Sequence, residues 1–346
     1  MDRRQPIAHT QGTTRGEQPV NVLVTGGAGY IGSVIVEELL HDGHRIVVLD
    51  NLSQGHQAAV LPPAELVVAD LADRHRLTAT LREHKIEAVV HMAASSLVAE
   101  SMQQPLWYFR NNVIHSLNLV EAMIEAAVPL LVFSSSAGVY GEPAHMPITE
   151  DTPLGPVNVY GETKTSFERT LLWLASAHGL RHVSLRYFNA AGATHRLGED
   201  HRPEAHLIPL VLQVALGKAH SVPIRGTAYP TADGTAIRDY VHVVDLARAH
   251  VRALQALAAG RSIAPAYNVG TGRGASVREV IAAARQVTGQ PIPVVEYPPR
   301  PGDPALLIAS AAKIQAELDW QPQLVELETI VGSAWEWHRQ HPQGYG

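Results

Sequence analysis

From Val20 onward, short apolar runs alternate with longer amphipathic stretches. Val20 to Thr25, Ile46 to Asp50, Leu66 to Ala69, Ala88 to Met92, Leu130 to Ser134 and His182 to Arg186 read as strands. Gly32 to His41, Arg74 to His84, Leu117 to Ala127 and Tyr160 to His178 read as the helices between them. Runs apolar on both faces suit buried parallel strands, and parallel strands need a helical crossover to return. The pattern therefore predicts an α/β fold built on a doubly wound parallel sheet (Rossmann). After Phe188 the texture turns to Gly, Pro, His and Thr, with one amphipathic piece at Leu207 to Leu216, and a second, smaller α/β substrate lobe is expected there. Tyr240 to Val243 looks strand-like and the following stretch to Ala259 helical, so this run is expected to return to the first sheet. The expected division is residues 1–19 as a loose polar extension, 20–188 with about 239–269 as the sheet lobe, and 189–238 with 270–346 as the second lobe.

Composition narrows the classes. The chain has 346 residues, 46% apolar and 17% charged, which is ordinary for a globular protein and excludes wholesale disorder. Lys plus Arg number 27 against 33 Asp plus Glu, a net charge of −6 with no basic stripe, which argues against nucleic-acid and membrane-surface partners. No apolar run reaches the roughly 18 residues of a membrane span. Zero cysteines exclude disulfides, thiol catalysis and cysteine-ligated zinc, and no signal-peptide pattern opens the chain; the cytoplasm is the expected location.

Chemistry is suggested first at the strand-to-helix junction Thr25-Gly26-Gly27-Ala28-Gly29-Tyr30-Ile31-Gly32. Gly26, Gly29 and Gly32, three apart, suit a tight turn, close approach of a pyrophosphate and close helix packing, with the helix N-terminus facing the phosphates. A glycine-bearing turn of no function is the alternative for the triplet alone. Asp50, ending the next strand 18 residues after Gly32, stands where a carboxylate accepts the adenosine ribose hydroxyls, which favours NAD over NADP. Asp70 either contacts the adenine or caps the helix after it.

Tyr160 and Lys164, at i and i+4, share one helix face, in a chain with only four lysines and ten tyrosines. Ser134-Ser135-Ser136 closes the strand before them, at the carboxyl edge where doubly wound sheets bind ligands. A serine run at a strand end is usually turn chemistry; its company here favours function.

Gly26 to Gly32, Ser136, Tyr160 and Lys164 resemble the extended short-chain dehydrogenase/reductase family. Leu49-Asp50-Asn51-Leu52-Ser53, Val139-Tyr140-Gly141, Arg186-Tyr187-Phe188-Asn189, Ile237-Arg238-Asp239-Tyr240-Val241-His242 and Arg300-Pro301-Gly302-Asp303 carry the likeness to its UDP-sugar 4-epimerase branch, from about residue 20 to the end. The resemblance implies that tightly bound NAD oxidises C4 of a UDP-hexose transiently, with Tyr160 as base, Lys164 beside it and Ser136 relaying the proton. It implies NAD contacts at Gly26, Gly29, Tyr30, Ile31, Gly32, Asp50, Asn51, Asp70, Leu71, Met92, Ala93, Asn111, Tyr160, Lys164 and Tyr187. It implies UDP-sugar contacts at Ser136, Tyr160, Asn189, His206, Leu207, Arg238, Tyr240, Arg300, Asp303 and Leu307. It also implies a homodimer formed through Leu117 to Ala127 and Tyr160 to His178.

This chain departs from the pattern at Ser96, where some members carry lysine, and at Gly138, where many carry threonine. Leu307 leaves open the acceptance of UDP-N-acetylhexosamines. A 4,6-dehydratase is the rival enzyme, but Ser136-Ala137-Gly138 lacks the acid its elimination needs. A non-catalytic NAD sensor would not need both Tyr160 and Lys164. The group Asp200-His201, Glu204 and His206 lacks i,i+4 or HExxH spacing, so no metal is expected. Gly270 to Gly274 reads as a loop into a helix capped by Ser276 rather than a second phosphate cradle.

Overall fold

The computed structural model describes residues 19–299 and 303–346. In chain order the first part forms β1 (Asn21–Thr25), α1 (Tyr30–His41), β2 (Arg45–Asp50), β3 (Glu65–Val68), α2 (Arg74–Glu83), β4 (Ala88–His91), α3 (Val98–Gln103), α4 (Pro105–Phe109), α5 (His115–Glu125), β5 (Leu130–Ser134), α6 (Val159–His178) and β6 (Arg181–Tyr187). A π-helical turn, Arg110–Ile114, joins α4 to α5. The second part forms β7 (Asn189–Ala191), α7 (Leu207–Ala215), β8 (Val222–Arg225), β9 (Ile237–His242), α8 (Val243–Ala258), β10 (Ala266–Val269), β11 (Gly274–Ser276), α9 (Val277–Thr288), β12 (Val294–Tyr297), β13 (Leu306–Leu307), α10 (Ala312–Leu318) and α11 (Leu327–Gln340).

Seven parallel strands make the main sheet in the order β10-β6-β5-β4-β1-β2-β3. The order reverses between β1 and β4, which opens a crevice at their carboxyl ends. Because side chains alternate along a strand, each apolar run feeds two cores. Val22, Val24, Ile46, Val48, Val90 and Val132 face one side, with α1, α8 and α10. Leu23, Val47, Leu49, Val89, Leu131 and Phe133 face the other, with α2, α5 and α6. That two-sided burial is why the strands read as continuous apolar runs.

One expectation is corrected. The strand expected at Tyr240 to Val243 does not enter the main sheet: β9 pairs with β7, β11 and β13 in a separate four-stranded sheet. Only the chain after β9 returns, α8 lying against α1 and β10 completing the main sheet beside β6. β8 and β12 form a parallel pair, packed with α7, α9 and α11 around a third core. Helix α9 is capped as expected by Ser276, whose hydroxyl accepts from the Glu279 N–H at 3.1 Å while the Glu279 carboxylate accepts from the Ser276 N–H at 2.7 Å, and residues 270–273 form a loop that leads into the short strand β11 before it.

Candidate functional site

The glycine loop lies at the carboxyl end of β1, and its three glycines have different causes. Gly26 has φ +71°, and a Cβ there would stand 2.6 Å from the Ala93 backbone nitrogen, so both conformation and space require glycine. A Cβ at Gly32 would collide with the Gly26 carbonyl oxygen. Gly29 is different: its φ is −80° and the nearest atom a Cβ would meet is 3.4 Å away, so nothing within the chain demands glycine. No side chain caps α1 at that point. A bare helix N-terminus behind a glycine without an internal reason fits a phosphate approaching from outside.

Asp50 is buried, its Oδ2 accepting from the Ala28 N–H at 3.0 Å and its Oδ1 from the Leu52 N–H at 2.8 Å. Burial raises its pKa against the pull of those two donors. The carboxylate thus braces the glycine loop at the end of β2. Asn51 donates to Asp70 Oδ2 at 2.7 Å, and Asp70 Oδ1 accepts from the Ala72 N–H at 2.8 Å, so Asp70 makes a turn rather than an N-cap; the cap of α2 is Asp73. Leu71 is buried beneath it, and Met92 and Ala93 come after β4 and lie against Gly26. Asn111 donates to the Ser95 hydroxyl at 3.1 Å from the π-helical turn. Ile31 packs toward the core, whereas the Tyr30 hydroxyl crosses to donate to the Gly192 carbonyl at 2.6 Å, tying the glycine loop to the second lobe.

Helix α6 carries the reactive pair. Asn158 caps it by accepting from the Gly161 N–H at 2.9 Å, and Gly179 ends it at φ +68°. On one face lie Tyr160, Lys164 and Glu168, all buried. The Ser136 side chain is the one neighbour that pulls the Tyr160 pKa down, and its oxygen accepts from the Gly138 N–H at 3.1 Å. Lys164 Nζ donates to the Ser134 carbonyl at 2.8 Å and stands 5.8 Å from the Tyr160 ring centre. Burial lowers the Lys164 pKa to about 7, with Glu168 pulling it back up. Burial, reinforced by Tyr187, pushes Tyr160 up, with only Ser136 opposing. In the chain alone Tyr160 is therefore a neutral phenol. Tyr187 receives a hydrogen bond from Ser134 Oγ at 2.8 Å, so it adjoins the same strand end.

The network behind this pair was not legible in the sequence. Ser135 donates to Glu168 Oε1 at 2.5 Å, and Arg186 holds the same carboxylate through Nε at 3.0 Å and Nη2 at 2.6 Å. Arg186 also donates to Tyr140, which donates in turn to Asn268. The one signal for it is the i+4 continuation from Tyr160 and Lys164 to Glu168.

The second sheet faces the serine run. Asn189 lies in register with Tyr240, and Leu307 with Arg238. Arg238 pairs with the Asp303 carboxylate. Leu307 packs against a cluster that includes Ala137, Val139, Tyr140 and Phe188, on the stretch just after the serine run. His206 and Leu207 open α7. Arg300 and residues 1–18 lie outside the described residues. In the 199–206 loop the grouping differs from that expected: Asp200 turns away to accept from the Tyr345 N–H at 3.1 Å, and Glu199 takes its place beside His201, Glu204 and His206. Those four ligand-bearing groups lie within 4.8 Å of one another despite their unpromising spacing.

Residues 22–270 match the family model described as the NAD dependent epimerase/dehydratase family. A UDP-glucose 4-epimerase of Halalkalibacterium halodurans is 51% identical over 327 residues, covering 94% of this chain and 97% of that protein. A crystal structure of a UDP-glucose 4-epimerase superposes with a TM-score of 0.92 at 48% identity, covering 94% of this chain and 99% of that one. Another, from Bifidobacterium longum in complex with NAD+ and UDP, gives 0.88 at 38% identity, with 94% and 99% covered.

Proposed function

The chain belongs to the NAD-dependent epimerase/dehydratase family, and from that premise we propose that it interconverts UDP-galactose and UDP-glucose at C4 of the sugar. The observation that supports this reading is that Tyr160 is buried on α6 next to Ser136, with Lys164 behind it held by the Ser134 carbonyl at the end of β5. NAD fits the cradle by the character of Gly29, and Gly26, Gly29, Tyr30, Ile31, Gly32, Asp50, Asn51, Asp70, Leu71, Met92, Ala93, Asn111 and Tyr187 are its proposed neighbours. When bound, NAD supplies the acceptor for the C4 hydrogen and a positive ring charge beside the phenol.

Tyr160 takes the C4 hydroxyl proton, and Ser136, beside the same phenol, relays it. A phenolate at neutral pH requires a downward shift of about 3 units, or about 4 kcal/mol of differential stabilisation. The chain alone does the reverse, so the phenolate forms only with positive charge gathered at the closed site, part of it from Lys164 in its ammonium form. Asn189, His206, Leu207, Arg238, Tyr240, Arg300, Asp303 and Leu307 hold the UDP-sugar. Arg238 meets phosphate as a charged fork once it gives up part of its contact with Asp303. Retaining the nucleotide lets the 4-keto sugar turn and receive its hydrogen on the opposite face.

The division of labour tracks the sheets: residues 20–188 with about 243–269 serve the cofactor, and residues 189–242 with 270–346 serve the UDP-sugar. Leu106, Ile114, Leu172 and Trp173 are exposed to 84%, 52%, 51% and 76% on the α4 to α6 side, an apolar face that supports a homodimer. Among the described residues no helix is long and apolar enough to cross a membrane. Substrate and cofactor are intracellular metabolites, which supports the cytoplasm.

UDP-galactose deuterated at C4 tests the reaction by NMR. UDP-glucose retaining the label at C4 is expected; wash-out to solvent, or loss of the C6 oxygen, refutes it. Tyr160→Phe should abolish turnover while NAD stays bound.

A further inference from the structure

The loop between β7 and α7 contains a second constellation, Glu199, His201, Glu204 and His206, of which the epimerisation reading uses only His206, as a UDP-sugar contact. Glu199 is buried, and its Oε1 lies 2.6 Å from His206 Nδ1 and 3.0 Å from His201 Nδ1. Glu204 Oε1 stands 3.2 Å from the same His206 nitrogen. The two imidazole rings converge, with centroids 5.4 Å apart and planes tilted by 54°. Glu204 is itself held in place: its Oε1 accepts from the Ala205 N–H at 2.7 Å and the His206 N–H at 2.8 Å.

We propose that Glu199, His201, Glu204 and His206 bind one divalent transition-metal ion of the zinc class, at the edge of the second lobe. Two imidazole nitrogens and two carboxylate oxygens are the donor set such ions prefer, and the two carboxylates balance the ion's charge. With metal–ligand lengths near 2.1 Å, the edges of a tetrahedron are about 3.4 Å. The present separations run from 2.6 Å to a limit of 4.8 Å, so the ligands reach that shape by shifts of about 1 Å or less. The ion takes the place of the protons that now link the imidazoles to Glu199. It also fixes His201, whose ring meets the Tyr30 ring edge-on at 6.2 Å, so the metal braces the glycine loop against the second lobe.

Titration of the chelator-treated full chain with Co2+, monitored by visible absorption and then by Zn2+ displacement, tests the site without reference to turnover. One equivalent with the intense ligand-field bands of four- or five-coordinate Co2+ is expected, displaced by Zn2+. Glu199→Gln and His201→Ala should each weaken it at least tenfold, and His195→Ala, outside the cluster, should leave it unchanged. If Glu199→Gln does not fold by circular dichroism, His201→Ala decides. Only weak octahedral spectra, or affinity indifferent to His201→Ala, overturn the proposal and leave the four side chains as an ion-pair network.

Discussion

Replacing Lys164 by methionine should make the NAD-free chain more stable while removing its activity. Lys164 is 4% exposed and its pKa falls to about 7, against 10.5 for the unfolded chain. At pH 7 the unfolded state therefore binds nearly one proton where the folded state binds about half of one. A shift of that size disfavours folding by about 4 kcal/mol at pH 7. Methionine removes the penalty with a side chain of similar length, and it forfeits the bond to the Ser134 carbonyl, about 1 kcal/mol plus the cost of leaving that oxygen unpaired. The net gain is on the order of 2 kcal/mol. Its sign comes from the depressed pKa: the lysine's penalty is full below pH 7 and fades as the pH rises toward 10.5, where the folded state has already lost the proton and the unfolded state is losing it. Urea denaturation of wild type and Lys164→Met at pH 7 and pH 10 measures it. The variant should lead at pH 7, and the gap should narrow or reverse at pH 10. A variant no more stable than wild type at pH 7, with a difference independent of pH, would refute the account of a desolvated ammonium.

The glycines separate packing from binding: Gly32→Ala should destabilise the fold by several kcal/mol through its collision with the Gly26 carbonyl. Gly29→Ala should instead leave the unfolding midpoint of the NAD-free chain nearly unchanged and weaken NAD retention, read by release on gel filtration. Glu168→Ala leaves the Arg186 guanidinium buried without its carboxylate and should cost about 3–5 kcal/mol in denaturant, more than Glu168→Gln. Trp173→Glu, at a position 76% exposed, should halve the mass in light scattering without changing the circular dichroism. Leu307→Tyr enlarges the side chain packed beside Ala137 and Phe188. It should lower kcat/KM for UDP-N-acetylglucosamine more than for UDP-glucose, and equal losses would show that Leu307 does not bound the sugar.

What could be read in the chain itself was local. Strand and helix periods, the glycine loop, and the Tyr160 and Lys164 pairing are set by residues a few positions apart, and their physical demands leave a spacing behind. Two-sided apolar runs even announced the buried parallel sheet. What only the tertiary structure decided depends on partners far away in sequence or on groups with no residue-specific trace. Whether β9 joined the large or the small sheet turned on β7, β11 and β13, all short strands with weak patterns. The anchor of Lys164 is a backbone carbonyl, which every residue possesses and no sequence advertises. Glu199 replaced Asp200 beside the histidines because the loop sends Asp200 toward the C-terminal tail and Glu199 inward, and only the folded backbone makes that choice.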